Sequence, residues 1–258
     1  MENLFISDVT LRQDLKRAEA ALSFREKLEI ARALDRLRLH GVELPPMQNE
    51  KADALLIKSI ASAVKESRLV LPAALSKEGI EAAWSAIRGA ARPCIQIALP
   101  ASAAQMEYVC HKKPEQMLQW IGELVGAAKA LCPEAEFVAE DATRSEPEFL
   151  RRALETAALA GADTLTLCDS SDGMLPIEFG GFVKDAVSGV PALAGKLIGV
   201  QCTDQLRLAA ACALAATGSG ARLVKAACGD EGLLPLENFA AILRARGMDM
   251  GFRSDIAM

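Results

Sequence analysis

The feature that most constrains this chain is a β-then-α alternation that repeats eight times at a spacing of roughly thirty residues. Short strand-like runs occur at LFISDVT (4–10), GVEL (41–44), SRLVLPAAL (67–75), PCIQIALP (93–100), AEFVAED (135–141), DTLTLCD (163–169), KLIGVQC (196–202) and ARLVKAACGD (221–230). Each is followed by apolar residues at i, i+3, i+4 and i+7, which predicts helices over 24–40, 51–66, 77–89, 114–131, 146–160, 176–187, 205–217 and 235–246. In FLRRALETAALAGA, for example, Phe149, Leu150, Ala153, Leu154 and Ala157 fall on one face. Ser145 is expected to cap that helix, with Pro147 in its first turn and Gly161 as its stop. Eight units without a linker predict one α/β domain over residues 1–258, a closed (β/α)8 TIM barrel. The rival, an open doubly wound sheet, usually has fewer strands, and no Gly-rich dinucleotide fingerprint follows the first strand.

Composition narrows the function. Hydrophobic residues make up 51% of the 258 and aromatics only 4%, which suits amphipathic helices packed on a buried sheet. The net charge of −5 and the lack of a basic stripe with interleaved aromatics argue against a nucleic-acid partner. The longest apolar runs fall short of the ~20 residues that span a bilayer, and no signal-like segment opens the sequence, so no membrane partner and a cytoplasmic location are expected. Seven cysteines without a C-x-x-C pair read as reduced thiols, not a structural zinc site. With only His40 and His111, no histidine-rich metal or catalytic constellation can be built.

In a barrel of this kind the site lies at the carboxyl ends of the strands. Those ends offer Asp8, Arg12, Glu43, Pro72, Pro100 to Ser102, Glu140 to Ala142 with Arg144, Asp169 to Ser171, Gln201 to Thr203, and Cys228 to Asp230. Carboxylates mixed with arginines suit a small anionic metabolite, held directly or through a hard divalent cation with oxygen ligands. The plain alternative is that the Asp and Ser residues cap the following helices.

The same residues carry a resemblance. ISDVTLRQD is similar to the D-T-T-L-R-D-G-E-Q opening of the HMG-CoA lyase-like, or DRE-TIM metallolyase, family of isopropylmalate, homocitrate and citramalate synthases. EKLEIARALDRLRLHGVELPP resembles the family's helix and second strand with its Glu, here Glu43. EFVAEDATRSEPEFL with DTLTLCDSSDGMLPIE resembles its E-D-A-x-R and D-T-x-G-x-x-x-P units, and GVQCTDQLRLAAACALAATGSGARLVKAACGDEG its H-x-H-N-D and Gly-rich segments. The resemblance implies a barrel that joins or cleaves carbon–carbon bonds of 2-oxoacids and acyl-CoA, with a divalent cation as Lewis acid. It also implies roles: Asp8 as metal ligand, Arg12 as the catalytic arginine that stabilises developing oxygen charge, and Glu140 as the catalytic acidic residue. Glu43, Asp169, Ser170 and Arg144 would form the substrate-binding set, with Arg144 also supporting Glu140.

The departures from the family pattern are as informative. Gln201 and Thr203 stand where H-x-H supplies two imidazole ligands, and strand alternation puts both on one face with Cys202 on the other. Leu233 or Leu234 stands where the family has an Asn ligand, Gln105 where the fourth unit has a histidine, and residues 13–16 replace D-G-E-Q. Asp8 with the Gln201 amide and the Thr203 hydroxyl would hold at most a weakly bound Mg2+ or Mn2+. Cys168, Cys202 and Cys228 read as buried thiols, not ligands, since Cys168 lies opposite Asp169 and Cys202 opposite Gln201. His40 is expected to complement a helix C-terminus as a partly charged imidazole. The basic cluster around His111 is read as solvated surface, with a CoA phosphate contact as the alternative, and Trp84 and Trp120 as packing residues.

Two functions follow as expectations. One is an enzyme acting on a 2-oxoacid or acyl-CoA with an altered or absent metal. The other is a catalytically silent ligand-binding or regulatory subunit, a homo-oligomer or a hetero-oligomer with an intact relative. The sequence ends near the barrel itself, so any lid over the site is expected from a partner subunit.

Overall fold

A computed structural model describes residues 4–13, 22–229, 232–248 and 252, and everything below refers to these. Eight strands close into a barrel, each parallel to the next and the eighth parallel to the first. They are β1 (Phe5–Asp8), β2 (Gly41–Glu43), β3 (Arg68–Pro72), β4 (Pro93–Pro100), β5 (Glu134–Glu140), β6 (Thr164–Asp169), β7 (Leu197–Cys202) and β8 (Leu223–Ala226). Ten helices accompany them: α1 (Thr10–Gln13), α2 (Phe24–Arg36), α3 (Glu50–Ala63), α4 (Lys77–Ile87), α5 (Ala103–Tyr108), α6 (Pro114–Leu131), α7 (Pro147–Leu159), α8 (Pro176–Val187), α9 (Ala209–Thr217) and α10 (Leu236–Ala245). No helix among the described residues is long and apolar enough to cross a membrane.

Local signals explain the elements. The Ser23 hydroxyl accepts from the Glu26 backbone N–H while the Glu26 carboxylate accepts from the Ser23 backbone, a reciprocal cap that starts α2. Pro occupies the first turn of α6, α7 and α8, where its missing N–H costs nothing. The cap of α7 is Glu146, one residue after the expected Ser145, and Gly161 stops that helix region with φ +108°. Several predicted helices run too long, and at two of them the misplaced boundary falls at a left-handed residue that periodicity cannot show. Arg38 (φ 57°) ends the α2 region before His40, and Arg207 (φ 59°) delays α9 to Ala209. The short α1 and α5 were not predicted.

His40 therefore does not sit on a helix end. Its ring packs against Phe5, 4.6 Å between centroids. Burial, with the nearby charges of Arg68 and Arg92, lowers its pKa to about 3, so it is a neutral, packed imidazole.

The apolar core lies between the strands and the helix ring, where Ile6, Leu69, Leu71, Ile95, Phe137 and Leu165 meet Phe179, Phe239 and their neighbours. The inside of the barrel is different. Alternating strand residues that face inward include Ser7, Glu43, Arg68, Gln96, Glu136, Thr166 and Lys225, each at most 1% exposed. Barrels of this type usually fill that space with branched apolar side chains. Here the register places Lys225 beside both Ser7 and Gln201, and Gln96 beside Glu136, so polar groups from all eight strands face the interior.

Candidate active site

The centre of the barrel is a continuous chain of charged and polar contacts. The Lys225 ammonium lies 2.7 Å from Glu43 Oε1 and 2.8 Å from Glu136 Oε1. Glu43 Oε1 also accepts from Ser7 Oγ at 3.0 Å, and Glu43 Oε2 accepts from Arg12 Nη1 at 2.8 Å and from Gln96 Nε2 at 3.2 Å. Gln96 donates its second N–H to Glu136 Oε2 at 3.1 Å, and Thr166 Oγ1 donates to Glu136 Oε1 at 2.6 Å. Burial alone would neutralise these groups, but opposite charges at contact distance outweigh it: Glu136 is held below the usual carboxylate range by Lys225 and Arg68, and Lys225 is raised by Glu136 and Glu43.

Arg12 forms the top of this chain. It projects from α1, just beyond β1, and its Nη2 donates to the amide oxygen of Gln201 while Nη1 is held by Glu43. Its side chain keeps 16% of its surface open to solvent, whereas Glu43 is completely buried. Two of its donors are thus fixed, and the group is oriented before any ligand arrives.

The remaining predicted residues divide between this centre and the rim. Asp8 follows the inward Ser7 and faces the other way: its Oδ1 accepts from the Thr10 backbone at 2.9 Å and its Oδ2 from Thr10 Oγ1 at 3.0 Å, with Cys228 Sγ 3.7 Å away. Complete burial raises its pKa to about 7 despite those bonds. On the rim between β5 and β6, Asp169 Oδ1 accepts from Thr143 Oγ1 at 2.9 Å and from the Ser171 hydroxyl and backbone. Arg144 donates to Asp141 Oδ1 at 2.7 Å. Asp141 is buried in a left-handed conformation (φ 55°), which turns the chain off β5. Glu140 and Ser170 are both exposed at the ends of their strands. Alternation on β6 is the reverse of the expected one: Cys168 faces inward, within the fields of Lys225, Arg12 and Glu43, and burial pushes its thiol up to about 12. Cys202 lies on the opposite face of its sheet, near Cys212 of α9, also held as a thiol by burial.

The expected metal ligands do not fit a divalent cation. Gln201 directs its oxygen at a guanidinium, a fixed positive charge that opposes a second cation. Asp8 accepts from Thr10 with both oxygens, and among the described residues no three His, Cys, Asp or Glu side chains form a cluster that could hold an ion. Thr203 Oγ1 is buried without a hydrogen-bond partner in the protein, next to the bridge between Thr203 and Leu233. Residues 14–16 and Asp230 lie outside the described residues.

Sequence reading missed Lys225, Gln96 and Glu136 as members of the site because attention to strand ends passes over strand middles. A signal was present for two of them: Gln96 in PCIQIALP and Lys225 in LVKA are each the lone charged or amide residue of an otherwise apolar strand. Buried polar residues in such a setting need partners, and alternation would have put them inside the barrel.

Fold and site together define a (β/α)8 barrel whose carboxyl-end mouth has an arginine floor braced by buried carboxylates. Residues 3–256 match the HMGL-like family model, and the chain belongs to that family. It is 36% identical over 226 residues to a 2-isopropylmalate synthase of Clostridium kluyveri, which covers 88% of this chain and 44% of the relative. It is 34% identical over 224 residues to the 2-isopropylmalate synthase of Aquifex aeolicus, covering 87% and 43%. The chain therefore spans less than half the length of these two relatives. Among solved structures, the HMG-CoA lyase of Brucella melitensis superposes with a TM-score of 0.80 at 16% identity, covering 99% of this chain and 95% of that one. An Acinetobacter baumannii HMG-CoA lyase in complex with coenzyme A and 3-methylmalate gives 0.81 at 14% identity, covering 98% and 87%. At these identities the structural likeness shows the fold alone.

Proposed function

We propose that this chain binds a small carboxylate of the 2-oxoacid class without a metal ion and serves as a ligand-binding or regulatory subunit beside an intact relative. The observation that carries this is the pairing of Arg12 with Gln201: a side chain at an expected ligand position is committed to a guanidinium. Arg12 offers its remaining N–H groups to the carboxylate, an acceptor pair that matches the guanidinium fork. Glu43 and Gln201 hold that fork in place, and Lys225 offsets the charge of Glu43 so that Arg12 stays available for an added anion. The family membership and the synthase relatives support the substrate class.

Calorimetry with pyruvate in EDTA-containing buffer tests this reading. Saturable heat that disappears in Arg12→Met, with no release of CoA from acetyl-CoA plus pyruvate in Mg2+ or Mn2+, is the expected result. Turnover dependent on added metal would overturn it.

A second reading, an enzyme in its own right, is favoured by Glu140, an exposed carboxylate at the end of β5 on the mouth side. Turnover by the isolated chain in EDTA that is lost in both Glu140→Gln and Arg12→Met would select it.

A further inference from the structure

The N-terminal end of the barrel, opposite the mouth, is lined by groups the proposed function does not use. Arg68 opens β3 and is completely buried. Its Nη1 donates to Glu134 Oε2 and Thr164 Oγ1, each at 3.1 Å. Its Nε and Nη2, which carry three N–H groups between them, are buried and meet no acceptor in the protein. The preceding residue on the neighbouring strand, His40, accepts the Arg68 backbone N–H at 3.1 Å through its carbonyl, and its own Nε2 is also buried without a hydrogen-bond partner. Phe5 packs on His40, and the Arg222 guanidinium lies 5.7 Å from the Phe5 ring.

Donors and positive charge dominate this end. Arg68, Arg92 and Glu136 are the charges that act on His40, and Glu136 is already bound to Lys225 and Thr166. Glu134 touches Arg68 through one oxygen and remains about one-third open to solvent. An N–H kept from any acceptor in a protein interior has lost its hydration with no bond in return, so an edge of three such groups calls for an acceptor. A neutral water would satisfy the geometry, whereas the surrounding arginines favour a negative charge. Thr164 and Glu134 already hold the third nitrogen, Nη1, of the same guanidinium, so the acceptor must fit against the Nε–Nη2 edge alone.

We propose that the N-terminal end of the barrel is a binding site for a small monovalent anion of the halide class, held between the Nε–Nη2 edge of Arg68 and the N–H of a His40 imidazole that carries its proton on Nε2. The anion would complete the donors of Arg68 and tie β2 to β3 at the end of the barrel that serves stability, not chemistry. This inference is independent of what the mouth binds.

Replacing gluconate by chloride or bromide at constant ionic strength tests it. The expected result is a saturable rise in Tm with halide, together with a halide-dependent shift of the His40 imidazole resonance that His111, the other histidine, does not share. Bromide-soaked crystals should show an anomalous peak against Arg68. Arg68→Met, or His40→Phe where that variant fails to fold, should remove the halide dependence. Melting and His40 signals that ignore halide, or density at Arg68 that fits water alone, would overturn the proposal.

Discussion

The amide oxygen of Gln201, at the end of β7, accepts a hydrogen bond from the guanidinium of Arg12, which stands on the short helix after β1. This contact crosses the mouth of the barrel and joins two segments far apart in sequence. It fixes a permanent cation where the family resemblance leads one to expect imidazoles around a metal. Replacing Gln201 changes both the ligand set and the freedom of Arg12.

Wild-type protein should give no saturable Mg2+ or Mn2+ binding by calorimetry. The double variant Gln201→His with Thr203→His should acquire Mn2+ binding only when Arg12 is also changed to Met, because the guanidinium opposes a second cation at short range. Tight Mn2+ binding by the wild-type chain would show that the ligands lie elsewhere.

Lys225 stands between two buried carboxylates, so its removal leaves like charges facing each other without a counter-ion. Lys225→Met should destabilise the fold by about 3–5 kcal/mol in urea titrations. Adding Glu43→Gln and Glu136→Gln to the same chain should recover much of that loss. A Lys225→Met variant as stable as wild type would mean the network is hydrated and loosely held.

The strand-and-helix order was legible in the sequence because buried parallel strands and amphipathic helices have different periods, and PCIQIALP and the helix over 114–131 were bounded as observed. Boundaries failed where a single left-handed residue, Arg38 or Arg207, ended or delayed a helix whose apolar pattern ran on. The site was legible only in part. Arg12, Glu43 and Gln201 do meet, but no local pattern says that Gln201 will face Arg12 and not a metal, since their contact depends on closure of the whole barrel. Asp8 and Asp169, read as site carboxylates from their strand ends, turn to local partners: Asp8 accepts from Thr10 with both oxygens, and Asp169 from Thr143 and Ser171 with Oδ1. Whether a strand-end Asp faces inward depends on strand phase, and one residue of phase decides it.

Gly199 of β7 lies against Thr166, and a Cβ added there would come within 2.7 Å of Thr166 Oγ1. That hydroxyl donates to Glu136. Gly199→Ala should therefore cost about 1–3 kcal/mol in unfolding free energy, the usual penalty for overpacking. In Thr166→Ser the alanine should cost less, because the smaller side chain can shift. Equal penalties in the two backgrounds would show that the strain is taken up elsewhere, as at Leu223, 3.2 Å from the same added atom.

His40 gives the fold a defined response to acid. Its pKa falls from 6.5 to about 3 in the folded chain, through burial first and then the charges of Arg68 and Arg92. Between those two values the unfolded chain binds a proton that the folded chain does not, so stability rises with pH across the window and is lost as pH falls from about 6.5 toward 3. His40→Gln keeps a polar, uncharged side chain and removes the titration. In halide-free buffer the wild-type protein should lose stability more steeply than His40→Gln between pH 7 and pH 4, by about 2–3 kcal/mol more at the acid end. Parallel stability curves for the two proteins, measured by urea unfolding at each pH, would show that the imidazole is charged in the folded state and that its burial carries no penalty.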